Sequence, residues 1–125
     1  MAASLTTADL AACCSPLTGG ALKTVAAERL ASMFKALADP ARVRLVSLIA
    51  ASDDGEACIC DLTEPLGLSQ PTVSHHMKML VGADLVSRDQ RGKWAFYRVN
   101  DDALATLARA LSPRHGLGIS APNTS

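Results

Sequence analysis

Five consecutive residues, Gly67-Leu68-Ser69-Gln70-Pro71, constrain this chain more than any other stretch. They place a helix stop and a helix start almost side by side. Gly67 accepts the left-handed conformation that closes a helix over Asp61–Leu66. Ser69 is an N-cap, and Pro71 fits the first turn of the next helix, where a missing N–H costs nothing. That second helix runs to about Val81 with Val73, Met77 and Leu80 on one face. A short helix, a glycine turn and a helix that is polar opposite its core face make a helix-turn-helix.

The flanking segments complete one architecture. Apolar residues at Val25, Leu30, Met33, Phe34 and Leu37 predict a helix over Thr24–Ala38. Asp39-Pro40 caps and opens another, with Val43, Leu45, Val46, Leu48 and Ile49 making it nearly all core. Ser52–Gly55 reads as a loop. Leu85–Asp89 and Lys93–Val99 are β-leaning runs joined by Gln90, Arg91 and Gly92, hence a hairpin. A last helix starts near Asp101, carries a Leu104/Leu107/Leu111 stripe and ends at Pro113. The fold class is mainly α with a small β-hairpin wing: a winged helix-turn-helix. Residues 1–22 read as a flexible arm carrying Cys13 and Cys14, residues 23–112 as the winged domain, and residues 113–125 as a flexible tail.

Composition narrows the function classes. The 125 residues are 49% hydrophobic, enough for one core, yet contain no apolar run long enough to span a membrane. Lys+Arg and Asp+Glu number 12 each, so net charge does not announce a nucleic-acid binder. Local charge does. Between Pro71 and Arg98 stand Lys78, Arg88, Arg91, Lys93 and Arg98 against only Asp84 and Asp89. The helix opened by Ser69 offers Gln70, Thr72, Ser74, His75, His76 and Lys78 away from its core face. Small polar side chains on a helix and cations at a hairpin tip are what base edges and phosphates require. With six to ten phosphates held per dimer, affinity would fall ~10³–10⁵-fold between 50 and 200 mM salt.

These residues carry a resemblance. Leu62-Thr-Glu-Pro-Leu-Gly-Leu-Ser-Gln-Pro-Thr-Val-Ser-His-His-Met-Lys-Met-Leu80, preceded by Cys58-Ile-Cys-Asp61, resembles the ArsR/SmtB family of metal-responsive repressors. Phe34-Lys-Ala-Leu-Ala-Asp-Pro-Ala-Arg-Val-Arg-Leu45 resembles its second signature. The match spans Met33 to Val99. The resemblance implies a cytoplasmic homodimer, no enzyme and no membrane, that holds double-stranded operator DNA until a metal or metalloid binds. Its dimer interface is made by the first and last helices. It assigns DNA contact to Gln70, Thr72, Ser74, His75 and Lys78, and on the wing to Arg88, Arg91 and Lys93, while Tyr97 falls at a structural position.

Cys58-x-Cys60-Asp-Leu matches the family's Cys-Val-Cys-Asp-Leu metal box. The N-terminus lacks a signal peptide's cationic start, so the thiols are expected to stay reduced. Thiolates select soft ions. As(III) takes three in a trigonal pyramid, and Cd(II) or Zn(II) prefers four donors. Two box cysteines complete neither shell, and no third stands at Thr63 or Glu64. Cys13 and Cys14 would supply the rest, on an arm whose ~3.3 Å per extended residue gives ample reach. The last helix offers Asp101 and Asp102 but no His before His115, so no metal site is expected there. The expected ligands are Cys13, Cys14, Cys58 and Cys60, and the expected effector is As(III) or Sb(III). Cd(II)/Pb(II) sensing and thiol-redox sensing are the alternatives. A thiol enzyme lacks its C-x-x-C motif and its anion loop.

Overall fold

A computed structural model describes Leu17 and residues 20–112. Cys13, Cys14, the expected tail and most of the expected arm lie outside the described residues. Among the described residues five helices and three strands follow in order: α1 (Thr24–Leu37), α2 (Pro40–Ala50), β1 (Glu56–Cys58), α3 (Cys60–Leu66), α4 (Gln70–Gly82), β2 (Val86–Arg91), β3 (Trp94–Val99) and α5 (Asp101–Leu111), with a 3₁₀ turn at Asp53–Gly55. They divide into two compact units.

Residues 32–101 form the winged unit. Asp39 caps α2 by accepting from the Ala41 N–H at 2.8 Å, and Pro40 fills the first turn. Gly67 closes α3 at φ 67°. The Ser69 hydroxyl accepts the Thr72 N–H at 3.4 Å to open α4. Val73, Met77 and Leu80 are fully buried, as the periodicity predicts, together with Leu45, Ile49, Leu62 and Leu85. At about 1.5–3 kcal/mol for each large apolar side chain buried, this cluster fixes the turn between α3 and α4. The α2 expectation was too broad. Only Leu45 and Ile49 are buried, and Val43 is 54% exposed. This eleven-residue helix packs against β1, β3, α3 and α4 and still buries a stripe rather than its circumference.

The wing is larger than the expected hairpin. It is a three-stranded antiparallel sheet in the order β1-β3-β2. The β2–β3 ladder runs from Val86↔Val99 to Arg91↔Trp94 and turns through Gly92 and Lys93, one step later than the sequence pattern indicates. Gly92 takes φ 62° at the first turn position, where a tight two-residue hairpin favours glycine. Strand β1 adds on the other side of β3 in the register Glu56↔Arg98, Ala57↔Tyr97, Cys58↔Phe96. Ala95, Tyr97 and Val99 are buried while Trp94 and Arg98 face out, the alternation of a strand with one covered face.

The second unit contains the start of α1 and nearly all of α5. Ala103, Thr106, Leu107 and Ala110 are its buried α5 face. The Thr106 hydroxyl, buried on this face, donates to the Asp102 carbonyl at 2.9 Å and is thereby satisfied. Of the Leu104/Leu107/Leu111 stripe, Leu107 is buried, Leu104 is half-buried and Leu111 is 59% exposed. Val25 on α1 is also exposed, at 64%.

Candidate nucleic-acid interface and thiol pair

Helix α4 turns its apolar side inward through Val73, Met77 and Leu80, so the positions between them face out. Gln70, Thr72, His75 and Lys78 are exposed, and Ser74 is half-buried. Lys78 has no carboxylate partner among the described residues. The neighbouring histidines diverge. His75 is exposed, whereas half-buried His76 accepts a hydrogen bond at Nδ1 from Arg42 Nε at 3.1 Å. Residue patterning gave no sign of this link, because Arg42 and His76 stand 34 positions apart.

The wing cations differ in how they are held. Lys93 is exposed in the tight turn, and Arg88 donates from Nη2 to the Gln90 side-chain oxygen. Arg91 is fully engaged. Its Nη1 and Nη2 form a bidentate pair with Glu56 at 2.7 and 2.9 Å, and its Nε reaches Asp89 at 2.8 Å. Its guanidinium carbon stands 4.5 Å from the Phe96 ring centroid, in cation–π contact. Arg98 adds Nη2 to Glu56 at 3.0 Å and Nη1 to the Asp54 carbonyl at 3.0 Å. The Arg91 guanidinium, with Arg98 behind it, holds the Glu56 carboxyl below its usual range, and Glu56 and Asp89 raise Arg91 further. Glu56 thus pins β1 to the hairpin, a role the sequence did not reveal because three residues carry no readable alternation.

The thiol box straddles two elements. Cys58 ends β1 and is buried, whereas Cys60 begins α3 and is exposed. Their sulfurs are 2.7 Å apart, with the Cys60 thiol donating to Cys58. The Cys60 backbone N–H also points at the Cys58 sulfur, at 3.5 Å. The hydrogen bond to Cys58 leads, followed by burial and the nearby charges of Cys58 and Asp61, in pushing the Cys60 thiol up to about 11. Two sulfurs this close repel one another as thiolates, and a soft cation between them reverses that penalty. Among the described residues no group of three or more His, Cys, Asp or Glu side chains could hold a metal ion. Cys13 and Cys14, the other two expected ligands, lie outside the described residues.

A turn-linked helix pair with a polar outward helix and a cationic three-stranded wing defines the class: a winged helix-turn-helix transcriptional regulator, not an enzyme. Comparison with known proteins agrees. The model of the bacterial regulatory protein arsR family matches residues 39–88. The arsenical resistance operon repressor of Staphylococcus xylosus is 40% identical over 77 residues, covering 62% of this chain and 71% of that protein. A crystal structure of a possible transcriptional regulator for arsenical resistance superposes with a TM-score of 0.56 at 30% identity, over 62% of this chain and 77% of that one. The solution structure of a homodimeric winged helix-turn-helix DNA-binding domain from Mycobacterium bovis shares the fold, with a TM-score of 0.61 at 23% identity over 71% and 81% of the two chains. The chain belongs to the ArsR family of transcriptional regulators. No helix among the described residues is long and apolar enough to cross a membrane.

Proposed function

We propose that this protein is a cytoplasmic, metalloid-responsive repressor that grips operator DNA as a homodimer and releases it when As(III) or Sb(III) is bound by Cys58, Cys60 and the arm thiols Cys13 and Cys14. The observation that carries this reading is the Cys58–Cys60 pair, two thiols 2.7 Å apart at the junction of the wing sheet and α3. The similarity to an arsenical resistance repressor supports the effector class. When bound, the effector supplies a soft Lewis acid that exchanges oxygen ligands for sulfur.

The DNA-facing set on this reading is Gln70, Thr72, Ser74, His75 and Lys78 on α4, with Arg88, Arg91 and Lys93 on the wing. Gln70 and Ser74 suit base edges, and the cations suit phosphates. Arg91 reaches a phosphate only by loosening from Glu56 or Asp89, so Lys78, Arg88 and Lys93 carry most of the salt dependence. Dimerisation is supported by the exposed apolar side chains Val25, Leu111 and Leu17 in the unit that holds α5. Two α4 helices about 34 Å apart then meet successive major grooves. Cys58 sits in register with Phe96 on the central wing strand. Drawing Cys58 and Cys60 toward the arm thus acts on the wing and on α3, the support of α4. A coupling of about 2–3 kcal/mol weakens operator binding 30- to 150-fold.

A gel-shift titration with arsenite tests this on the wild type, Cys58→Ser, Cys60→Ser and the Cys13→Ser/Cys14→Ser pair. Release is expected to be lost in both box variants and weakened in the arm variant. Unchanged release in all of them ends the thiol-sensor reading. Four thiols also satisfy Cd(II) or Pb(II), and the same titration with each ion ranks them. Release by peroxide with metals chelated would favour redox sensing instead.

A further inference from the structure

Lys78 stands between two grooves of the winged unit. One, of about 490 Å³, opens toward the wing and is lined by Ser74, Lys78, Arg88 and Tyr97 among others. The other, of about 690 Å³, opens toward the end of α1 and the start of α2, where Lys35, Arg42, His75 and Lys78 line it. Neither groove has an acidic side chain in its lining. Three cations around one space repel each other unless an anion lies among them. Lys35 is exposed and has no ion-pair partner among the described residues. Arg42 is pre-aimed: its Nε is fixed on His76 and its Nη1 on the Ala36 carbonyl at 3.4 Å, leaving Nη2 without a partner among the described residues.

A helix in the major groove, which is about 12 Å wide, has a phosphate backbone on each side. The wing cations account for one of them. We propose that the Lys35/Arg42 groove is a second phosphodiester-binding site, which clamps the strand on the side of α4 away from the wing. This rests on the DNA-binding reading above and extends it to two residues outside the expected DNA-facing set. The clamp reads no bases. It fixes the depth and tilt of α4, so it strengthens binding to every duplex alike.

The test measures binding of the full-length protein to a duplex selected from a random pool, and to a scrambled duplex, between 50 and 200 mM salt. Each lost phosphate contact lowers the log–log salt slope by about 0.9, so Lys35→Gln lowers it by about 1.8 per dimer, a change of about twelvefold across that range. Lys35→Arg restores the slope, and Lys35→Gln weakens both duplexes by the same factor. Ethylation interference loses its signal at phosphates on one side of each half-site. Arg42→Lys keeps the charge and loses the fork, so it keeps the slope and weakens affinity. A wild-type slope in Lys35→Gln, with Lys78→Gln lowered, overturns the clamp and leaves the DNA-binding reading intact. Failure of the wild type to prefer the selected duplex overturns that reading first. Inorganic pyrophosphate binding that needs Lys35, alongside an unchanged DNA slope, would make the groove a small-anion site and overturn the clamp as well.

Discussion

Acidity separates the two effector chemistries, and the thiol box sets the size of the effect. A divalent cation can bind Cys60 only by expelling its proton. Arsenous acid instead brings three hydroxides: each As–S bond takes a thiol proton and a hydroxide away together as water, so no net proton is released. Cys60 is pushed up to about 11 by its hydrogen bond to Cys58. It therefore stays protonated throughout pH 6.5–8.5, and capture of Cd(II) releases a full proton from this residue at every point of the range. Apparent Cd(II) affinity then rises about tenfold per pH unit from Cys60 alone, or about a hundredfold across the range. The sign follows from the raised thiol: affinity is lost as pH falls, and the dependence does not level off before the pH reaches the thiol's own value. An ordinary thiol near 8.5 would already flatten the curve at the alkaline end. Competition against a chelator of known proton dependence gives the Cd(II) curve, and near-ultraviolet thiolate absorbance gives the arsenite curve. Expected are a Cd(II) curve that exceeds that of Cys60→Ser by a straight rise of about one decade per pH unit, and a flat line for arsenite. A Cys60→Ser variant whose Cd(II) slope is not lower than the wild type's by about one decade per pH unit up to pH 8.5 would refute the protonated Cys60 pair, and equal slopes for both ions would refute the exchange chemistry.

Three further outcomes check separate parts of the account. Lys78→Gln should lower the salt slope of DNA binding by about 1.8 per dimer and leave the melting temperature within a degree or two, and an unchanged slope takes Lys78 off the phosphates. Asp39→Ala removes the side-chain cap on Ala41 and should cost about 1 kcal/mol, seen as a melting temperature lower by about 4–8 °C; no shift means the cap is idle. Glu56→Gln leaves Arg91 and Arg98 without their shared carboxylate and should tighten non-specific duplex binding at 50 mM salt while shrinking the effector-induced loss of affinity. Weaker duplex binding would show that Arg91 acts by shaping the wing rather than by its charge.

Local signals were legible wherever backbone chemistry is local. Asp39-Pro40, Gly67 and Ser69 each satisfy or release backbone groups within a few residues, so their caps can be read directly from the chain. The α4 core face was equally clear, because 13 residues give its period room to repeat. Strand β1 was not, since three residues between a turn and a helix show no pattern until β3 pairs with them. The same limit hid Glu56 and assigned Arg91 only to DNA, when its nearest charges are protein carboxylates. The apolar residues of α2 read as core in excess, because hydrophobicity does not say which side a neighbour occupies, whereas the α5 stripe reads as a dimer face, which a single chain leaves open. Val43 and Leu111 stay exposed. In the candidate site, the chain announced the residue types at Cys58 and Cys60 but not that one belongs to a strand and the other to a helix.

That division between strand and helix bears on how a small ion could govern a large interface. Had both cysteines lain on α3, their capture would bias only the support of α4. With Cys58 on β1, the box also touches the wing through a ladder of three register pairs and the Glu56 brace. Backbone hydrogen bonds contribute about 0.5–1.5 kcal/mol each, and exposed ion pairs add less. A strand so short is held by an amount close to the 2–3 kcal/mol that derepression requires. A longer β1 would resist the pull, and an unpaired one would transmit nothing. On the proposed function, the shortness of Glu56–Cys58 is therefore a working property: the strand is strong enough to set the wing in the free protein and weak enough for two sulfur bonds to displace it.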